Sequence, residues 1–186
     1  MAALDELKKR LLTEIAVSLS DLFDRSFETK SFDGKPWKPR KIETGTGSLM
    51  LNTGTLRRSL KHEIQGNAVA WFSTVPYAKI HNEGGYIAVT ERMKKFFWAM
   101  YYKYHKRVRI GKTKKNKGQF LGKSEMYNAT AEAYKHLALM KIGAKIKIPQ
   151  RQFIGDSRDV RVRVEKITQK YVERLLEAVI KNAARK

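Results

Sequence analysis

Two stretches at opposite ends of the chain repeat apolar residues at steps of three and four, and this pair limits the fold more than any other feature. Leu4, Leu7, Leu11, Ile15, Leu19, Leu22 and Phe23 make one stripe over residues 4–27. Val160, Val164, Ile167, Tyr171, Leu175 and Val179 make a second one beyond Gly155, with Asp156 or Ser157 placed to cap it. A long helix with one apolar face has to lay that face on something. For the first helix two surfaces are open, a sheet of its own subunit and a neighbouring subunit, and a terminal helix can use both. The tail Lys181-Asn182-Ala183-Ala184-Arg185-Lys186 sets cations where the helix dipole favours them.

The segments between these helices supply the sheet. Lys61 to Gln65 and Ala68 to Thr74 flank Gly66-Asn67, a two-residue hairpin signature. Val69, Trp71 and Ser73 then share one face and Ala70 and Phe72 the other. Large apolar residues on both faces predict a strand covered twice, by the helices and by another subunit. Lys145 to Ile148 alternates Lys and Ile as a half-buried strand that stops at Pro149. The class expected is α+β, with a small, mainly antiparallel sheet from 61–74, 86–89 and 144–148 packed by the long N- and C-terminal helices. A length of 186 residues fits one domain, 1–186, carrying an elaboration at about 90–140.

That elaboration reads as an inserted helical hairpin. Thr90 can cap a helix from Glu91 to about Tyr104 with Met93, Phe96, Phe97, Met100 and Tyr104 as its stripe, which Trp98, Tyr101 and Tyr102 widen. A second helix, about Ser124 to Met140, carries Met126, Ala129, Ala133, Leu137 and Met140. Between them, His105 to Lys123 holds eight basic residues and no acidic one. Like-charge repulsion predicts that this tip does not fold on itself and is either mobile or bound to a polyanion.

Around Leu51 to Gly85 tight turns hold short elements. Thr53 or Thr55 can cap a helix from Leu56 to Leu60, leaving Arg57 and Arg58 as a solvated face or as a bidentate contact for a partner's carboxylates. Tyr77 to His81 makes one helical turn that ends at Gly84-Gly85. From Thr29 to Ser48 periodicity vanishes, broken by Gly34, Pro36, Pro39, Gly45 and Gly47, and a loop of about twenty residues is expected. Trp37 in its middle either engages a partner or folds back on its own core, since burying so large an aromatic is worth about 1.5 to 3 kcal/mol or more.

Lysine and arginine outnumber aspartate and glutamate by 39 to 18, a net charge of +21, so the expected partners are acidic: nucleic acid, an anionic membrane or an acidic protein surface. The absence of cysteine excludes a disulfide framework and a thiolate metal site and agrees with a reducing cytoplasm. No segment has the apolar length of a membrane span or the layout of a signal peptide, so neither export nor membrane insertion is expected. His62, His81, His105 and His136 lack ligand spacing, and His81 reads as a structural, hydrogen-bonded residue. Gly118-Gln119-Phe120-Leu121-Gly122-Lys123-Ser124 has three residues between its glycines where a phosphate loop needs four, and Gly111-Lys112-Thr113 lacks the upstream glycine. Paired-carboxylate, Ser-His-Asp and Cys-His arrangements are missing, so no catalytic residue, metal or cofactor is expected.

Four short patterns, in order, carry a resemblance. Asp33-Gly34-Lys35-Pro36-Trp37, Asn52-Thr53-Gly54-Thr55-Leu56-Arg57-Arg58-Ser59, Tyr77-Ala78 with His81 and Gly84-Gly85, and Pro149 with Arg151 and Phe153-Ile154-Gly155 are similar to motifs of the phage virion morphogenesis family. These are tail-completion or neck proteins of tailed phages, as in phage Mu and its relatives. The patterns frame about two thirds of the chain, which departs from the family between Gly85 and Pro149, where a short connection is usual. The resemblance implies a structural protein of the virion's tail or neck, made in the host cytoplasm. It would complete the tail at its head-proximal end as a six-fold ring of its own copies, meeting the tail tube protein and the head connector. Trp37, Arg57, Arg58 and Trp71 are the candidate partner or subunit interface. Arg107, Arg109, Lys112, Lys114, Lys115 and Lys117 are the candidate docking residues for an acidic neighbour, with non-specific DNA contact as one form of it. The rival reading is a basic nucleic-acid-binding module acting through the 105–123 loop; a metal-dependent nuclease is disfavoured by the missing carboxylate and histidine clusters.

Overall fold

A computed structural model describes residues 2–43 and 47–183. Gly45 of the expected loop and Arg185 and Lys186 of the cationic tail lie outside the described residues. In chain order the elements are α1 (Ala2–Thr29), β1 (Ser31–Phe32), β2 (Lys35–Pro36), α2 (Thr55–Arg58), β3 (Leu60–Gln65), β4 (Ala68–Ser73), α3 (Ala78–Glu83), β5 (Gly85–Ala88), α4 (Glu91–His105), α5 (Ser124–Leu139), β6 (Lys145–Ile148) and α6 (Arg158–Ala183). They fall into two compact units, residues 1–37, 49–83 and 150–186 in the first, 38–48 and 84–149 in the second.

The α+β class and the two long terminal helices are as expected, but the strands do not join in one sheet. They form three separate antiparallel pairs, β1–β2, β3–β4 and β5–β6. β5, which follows Gly84 at a left-handed φ of 74°, pairs in register with Ile148 to Lys145 of β6 and not with the β3–β4 hairpin.

In the first unit α1 is the organising rod. Its buried line is Leu12, Ala16, Leu19, Phe23 and Phe27, turned from the stripe that the apolar spacing suggests, while Leu4 and Val17 stay exposed. Leu19 and Phe23 pack with Phe32 of β1, and Trp71 meets Phe23 edge-on at 5.5 Å. The β3–β4 hairpin turns at Gly66 with φ 59° in register Gln65 to Ala68, as its glycine predicts. Its Val69, Trp71 and Ser73 side is half-buried, whereas Phe72 on the other side is exposed, so the chain itself covers one face only. Along α6, the Lys170 ammonium donates to Glu14 of α1 at 2.8 Å and holds that carboxyl below the usual range.

The region expected as structureless from residue 29 opens with a tight hairpin. Asp33 and Gly34, at φ 50° and 71°, are its two central residues, the Asp-Gly pair such turns select. Asp33 then caps from a distance: one of its carboxylate oxygens accepts from the Asp159 N–H at the start of α6, while Ser157 accepts from Val160 N. At the start of the short helix α2 the cap position itself is Gly54, at φ 71°, which makes no side-chain cap; the Thr53 hydroxyl, bonded to the Thr55 hydroxyl, accepts from Thr55 N at 3.4 Å.

The second unit is the expected helical hairpin joined to the β5–β6 pair. Thr90 caps α4 by accepting from Met93 N at 3.2 Å. Phe97 and Tyr104 of α4 pack with Ala131, Tyr134 and Ala138 of α5, and the Tyr104 and Tyr134 rings stack nearly parallel at 6.0 Å. The Thr130 hydroxyl donates to the Glu43 carbonyl.

Candidate functional site

The four family-like patterns converge. One buried cluster consists of Phe27, Trp37, Leu56, Ala78 and Phe153, so each pattern gives one side chain to it and α1 gives the fifth. Phe27 lies edge-on to Trp37 at 5.6 Å and 5.2 Å from Phe153. The segment leading into α6 is pinned through its backbone. The Asn82 side-chain oxygen accepts from both Phe153 N and Ile154 N, at 2.9 and 3.1 Å, and the His81 carbonyl accepts from Arg151 N at 2.8 Å. Trp37 closes the frame by donating from Nε1 to the Gln152 carbonyl at 2.7 Å. These are the contacts of a scaffold; nothing in the cluster presents a nucleophile or a proton donor to a substrate. Among the described residues no three His, Cys, Asp or Glu come together as a metal site would need. Among the described residues no helix is long and apolar enough to cross a membrane.

Several candidate interface residues therefore serve their own chain. Trp37 is only 8% exposed and packs with Phe27 and Phe153, the fold-back alternative. Arg57 meets carboxylates as expected, but they belong to α1: it donates to Asp24 and, at 2.7 Å, to Glu28, which raises its own pKa. Trp71 points to the α1 side of the hairpin and donates from Nε1 to Ser20 Oγ at 3.0 Å, with His62 Nδ1 on the same hydroxyl. Arg58 remains exposed, folded over its own turn by a bond to the Thr53 carbonyl. His81 is half-buried, with Nδ1 buried and no partner for it among the described residues; its anchoring runs through the backbone carbonyl and not the ring expected to be hydrogen-bonded. Burial, with the Arg151 charge beside it, pushes the His81 pKa down.

The basic tip does fold on itself, against expectation. Ile110 and Phe120 form a β-bridge, Gly111 N donates to the Gln119 carbonyl and Leu121 N to the Arg109 carbonyl, at 2.9 and 3.0 Å. Asn116 Oδ1 accepts from Thr113 N at 3.2 Å, and Ser124 Oγ ties the base of the turn by accepting from Arg109 N at 2.9 Å. A side chain at the buried Gly111 would stand 2.1 Å from the Asn116 carbonyl, so glycine lets the two backbones touch. The main chain closes through backbone bonds while Lys112, Lys114, Lys115 and Lys117 stay exposed, where water screens their repulsion. Arg107 is partly committed, its guanidinium 5.9 and 5.7 Å from the Tyr104 and Tyr127 rings. Arg109, with the four lysines, is exposed.

Asn82 is not legible as a functional residue from sequence, since it sits inside a pattern marked by its neighbours His81 and Gly84. The one signal is its place three residues before Gly85, on a turn that has to meet the Pro149 to Gly155 segment.

A family model described as the phage virion morphogenesis family matches residues 1–173, and the chain belongs to that family. No curated protein and no solved structure matches it. Its role is accordingly a structural one in phage virion morphogenesis.

Proposed function

We propose that the protein completes the phage tail at its head-proximal end, as a ring of six copies that meets the tail tube protein below and the head connector above. Membership of the virion morphogenesis family supports the setting. The observation that carries the ring is the uncovered apolar end of the α1–α6 pair. Leu4 is 61% exposed, and on α6 Leu176, Val179 and Ile180 are 54%, 57% and 67% exposed. Leu4 and Leu176 line a groove together with Leu7, Leu11, Tyr171 and Leu175. An apolar patch of this extent marks an association surface, and its occupant is a second copy of this chain, because closed rings repeat one heterologous contact between identical subunits. Phe72 on the open side of β4 and the exposed Arg58 belong to the same unit and are available to tube or connector.

The test is Leu176→Glu with Val179→Glu, two exposed positions whose change leaves the buried core alone. Particles carrying the variant should lack a ring at the tail's upper end by electron microscopy and fail to join heads to tails. Fully infectious particles would refute the reading. A second reading, favoured by the folded tip with its exposed lysines, is a nucleic-acid-binding module acting through residues 105–123; it predicts salt-sensitive DNA binding by the free protein and normal tails when the tip is neutralised.

A further inference from the structure

One side of α4 runs from rings that flank the core, Trp98 and Tyr101, both partly buried against it, to Tyr102 and His105, which are exposed. Between Arg92 and Ser124 there are twelve lysines and arginines and no aspartate or glutamate. Among the described residues none of these twelve forms a salt bridge. The core side of α4 is already supplied by Phe97, Met100 and Tyr104. About a third of a turn away, Trp98, Tyr101, Tyr102 and His105 follow at steps of three and four, with Lys94 and Lys95 one turn before them and Lys106 one turn after Tyr102. The rings are ordered against one another. Trp98 stacks on Tyr102 at 6.1 Å and 28°, and Tyr101 on His105 at 5.3 Å and 24°. Tyr102 is 55% exposed, so a flat aromatic face stands in water between cations.

We propose that this side of α4, continued by the basic turn at 106–123, binds single-stranded nucleic acid without reading its sequence. Bases stack on Tyr102 and the Trp98 edge of the ladder, and Lys94, Lys95 and Lys106 take the phosphates. Two observations favour this partner. Nine of the twelve cations are lysine, a residue depleted at protein–protein interfaces, where arginine prevails; a mobile phosphate chain needs only point charges. A duplex would leave the rings idle, because its bases are stacked on each other and offer only edges and phosphates. The inference is independent of the ring, whose proposed contacts lie in the other unit.

The experiment titrates the full-length protein against a labelled thymidine oligonucleotide of about 20 residues and a duplex of equal length, by fluorescence anisotropy over a range of salt. The single strand should bind more tightly than the duplex, with affinity falling linearly in log salt. Tyr102→Leu, which keeps apolar bulk, should weaken binding about 10-fold at every salt concentration without altering the slope, and Tyr102→Phe should restore it. Lys95→Gln with Lys106→Gln should instead reduce the slope by about 1.4, roughly 0.7 for each phosphate no longer neutralised. Poly-glutamate should compete poorly. The proposal is overturned by duplex binding as tight as single-strand binding, by poly-glutamate competing equally, by an unchanged Tyr102→Leu, or by binding that only the tip lysines affect. None of these results would alter whether a ring forms in particles.

Discussion

The two units use aromatic and charged residues in opposite ways. In the first, Phe27, Trp37 and Phe153 are turned inward and Arg57 is answered by Asp24 and Glu28 of the same chain. In the second, Phe97, Tyr104 and Tyr134 make a core flanked by Trp98 and Tyr101, while Tyr102 and a run of lysines without an ion pair among the described residues are exposed. A residue type thus says little by itself. A tryptophan in a glycine-broken loop proves to be a keystone, while an ordinary amphipathic helix displays the recognition chemistry. The family-like patterns mark how the first unit holds together, and the segment between them carries the exposed Tyr102 and its neighbouring cations.

Truncating the keystone should give the largest effect. Phe153 is fully buried against Phe27, so Phe153→Ala should destabilise the protein by about 3 to 5 kcal/mol. Urea denaturation measures it, and an unchanged midpoint would take Phe153 out of the frame. Asn82→Ala comes next. It strips one acceptor from two part-buried backbone N–H groups, for a loss of about 1 to 3 kcal/mol with no cavity of comparable size. Asn82→Asp should recover most of that loss, since either carboxylate oxygen still accepts; if it does not, Asn82 acts through packing.

A smaller effect is expected from acid. His81 has a depressed pKa in the fold, so the unfolded chain takes up its proton first as pH falls. The contribution of a neutral His81 is complete above about pH 6.5 and declines below it toward the folded value. Melting temperatures of wild type and His81→Gln, compared at about pH 7.5 and about pH 5.5, should converge on acidification. Parallel curves would show that His81 titrates alike in both states. The smallest effect on stability belongs to the tip. Replacing Lys112, Lys114, Lys115 and Lys117 by glutamine should leave stability within about 0.5 kcal/mol, because these side chains are exposed and make no ion pair. Head–tail joining by the same variant should fall. Normal joining would reduce the tip to a solvated turn and blur the contrast between the units.

The helices are legible because a stripe of three and four survives any tertiary context: α1, α4, α5 and α6 begin within about two residues of where periodicity and caps put them. Sheet membership is not, since β5 pairs with β6, about sixty residues on, and no local pattern records a partner that distant. Asp33-Gly34 reads as a breaker although it is a hairpin turn, because two-residue strands leave no alternation to see. Phe27 lies one step beyond the apolar stripe of the first helix, yet it joins Trp37 to Phe153. For the tip, a count of charges overlooks that backbone hydrogen bonds and one buried glycine can close a turn while lysine stems carry their charges into water.

The bond from Arg151 N to the His81 carbonyl has a bearing on how such a chain can change in length. It fixes the points of departure and return side by side within the frame, and in the other unit Gly85 is likewise the register partner of Ile148. Whatever is strung between them is a closed excursion, and doubling its span adds only about 0.6 kcal/mol of closure entropy. Lengthening or recasting that excursion is nearly silent for the frame, so its surface is free to diverge.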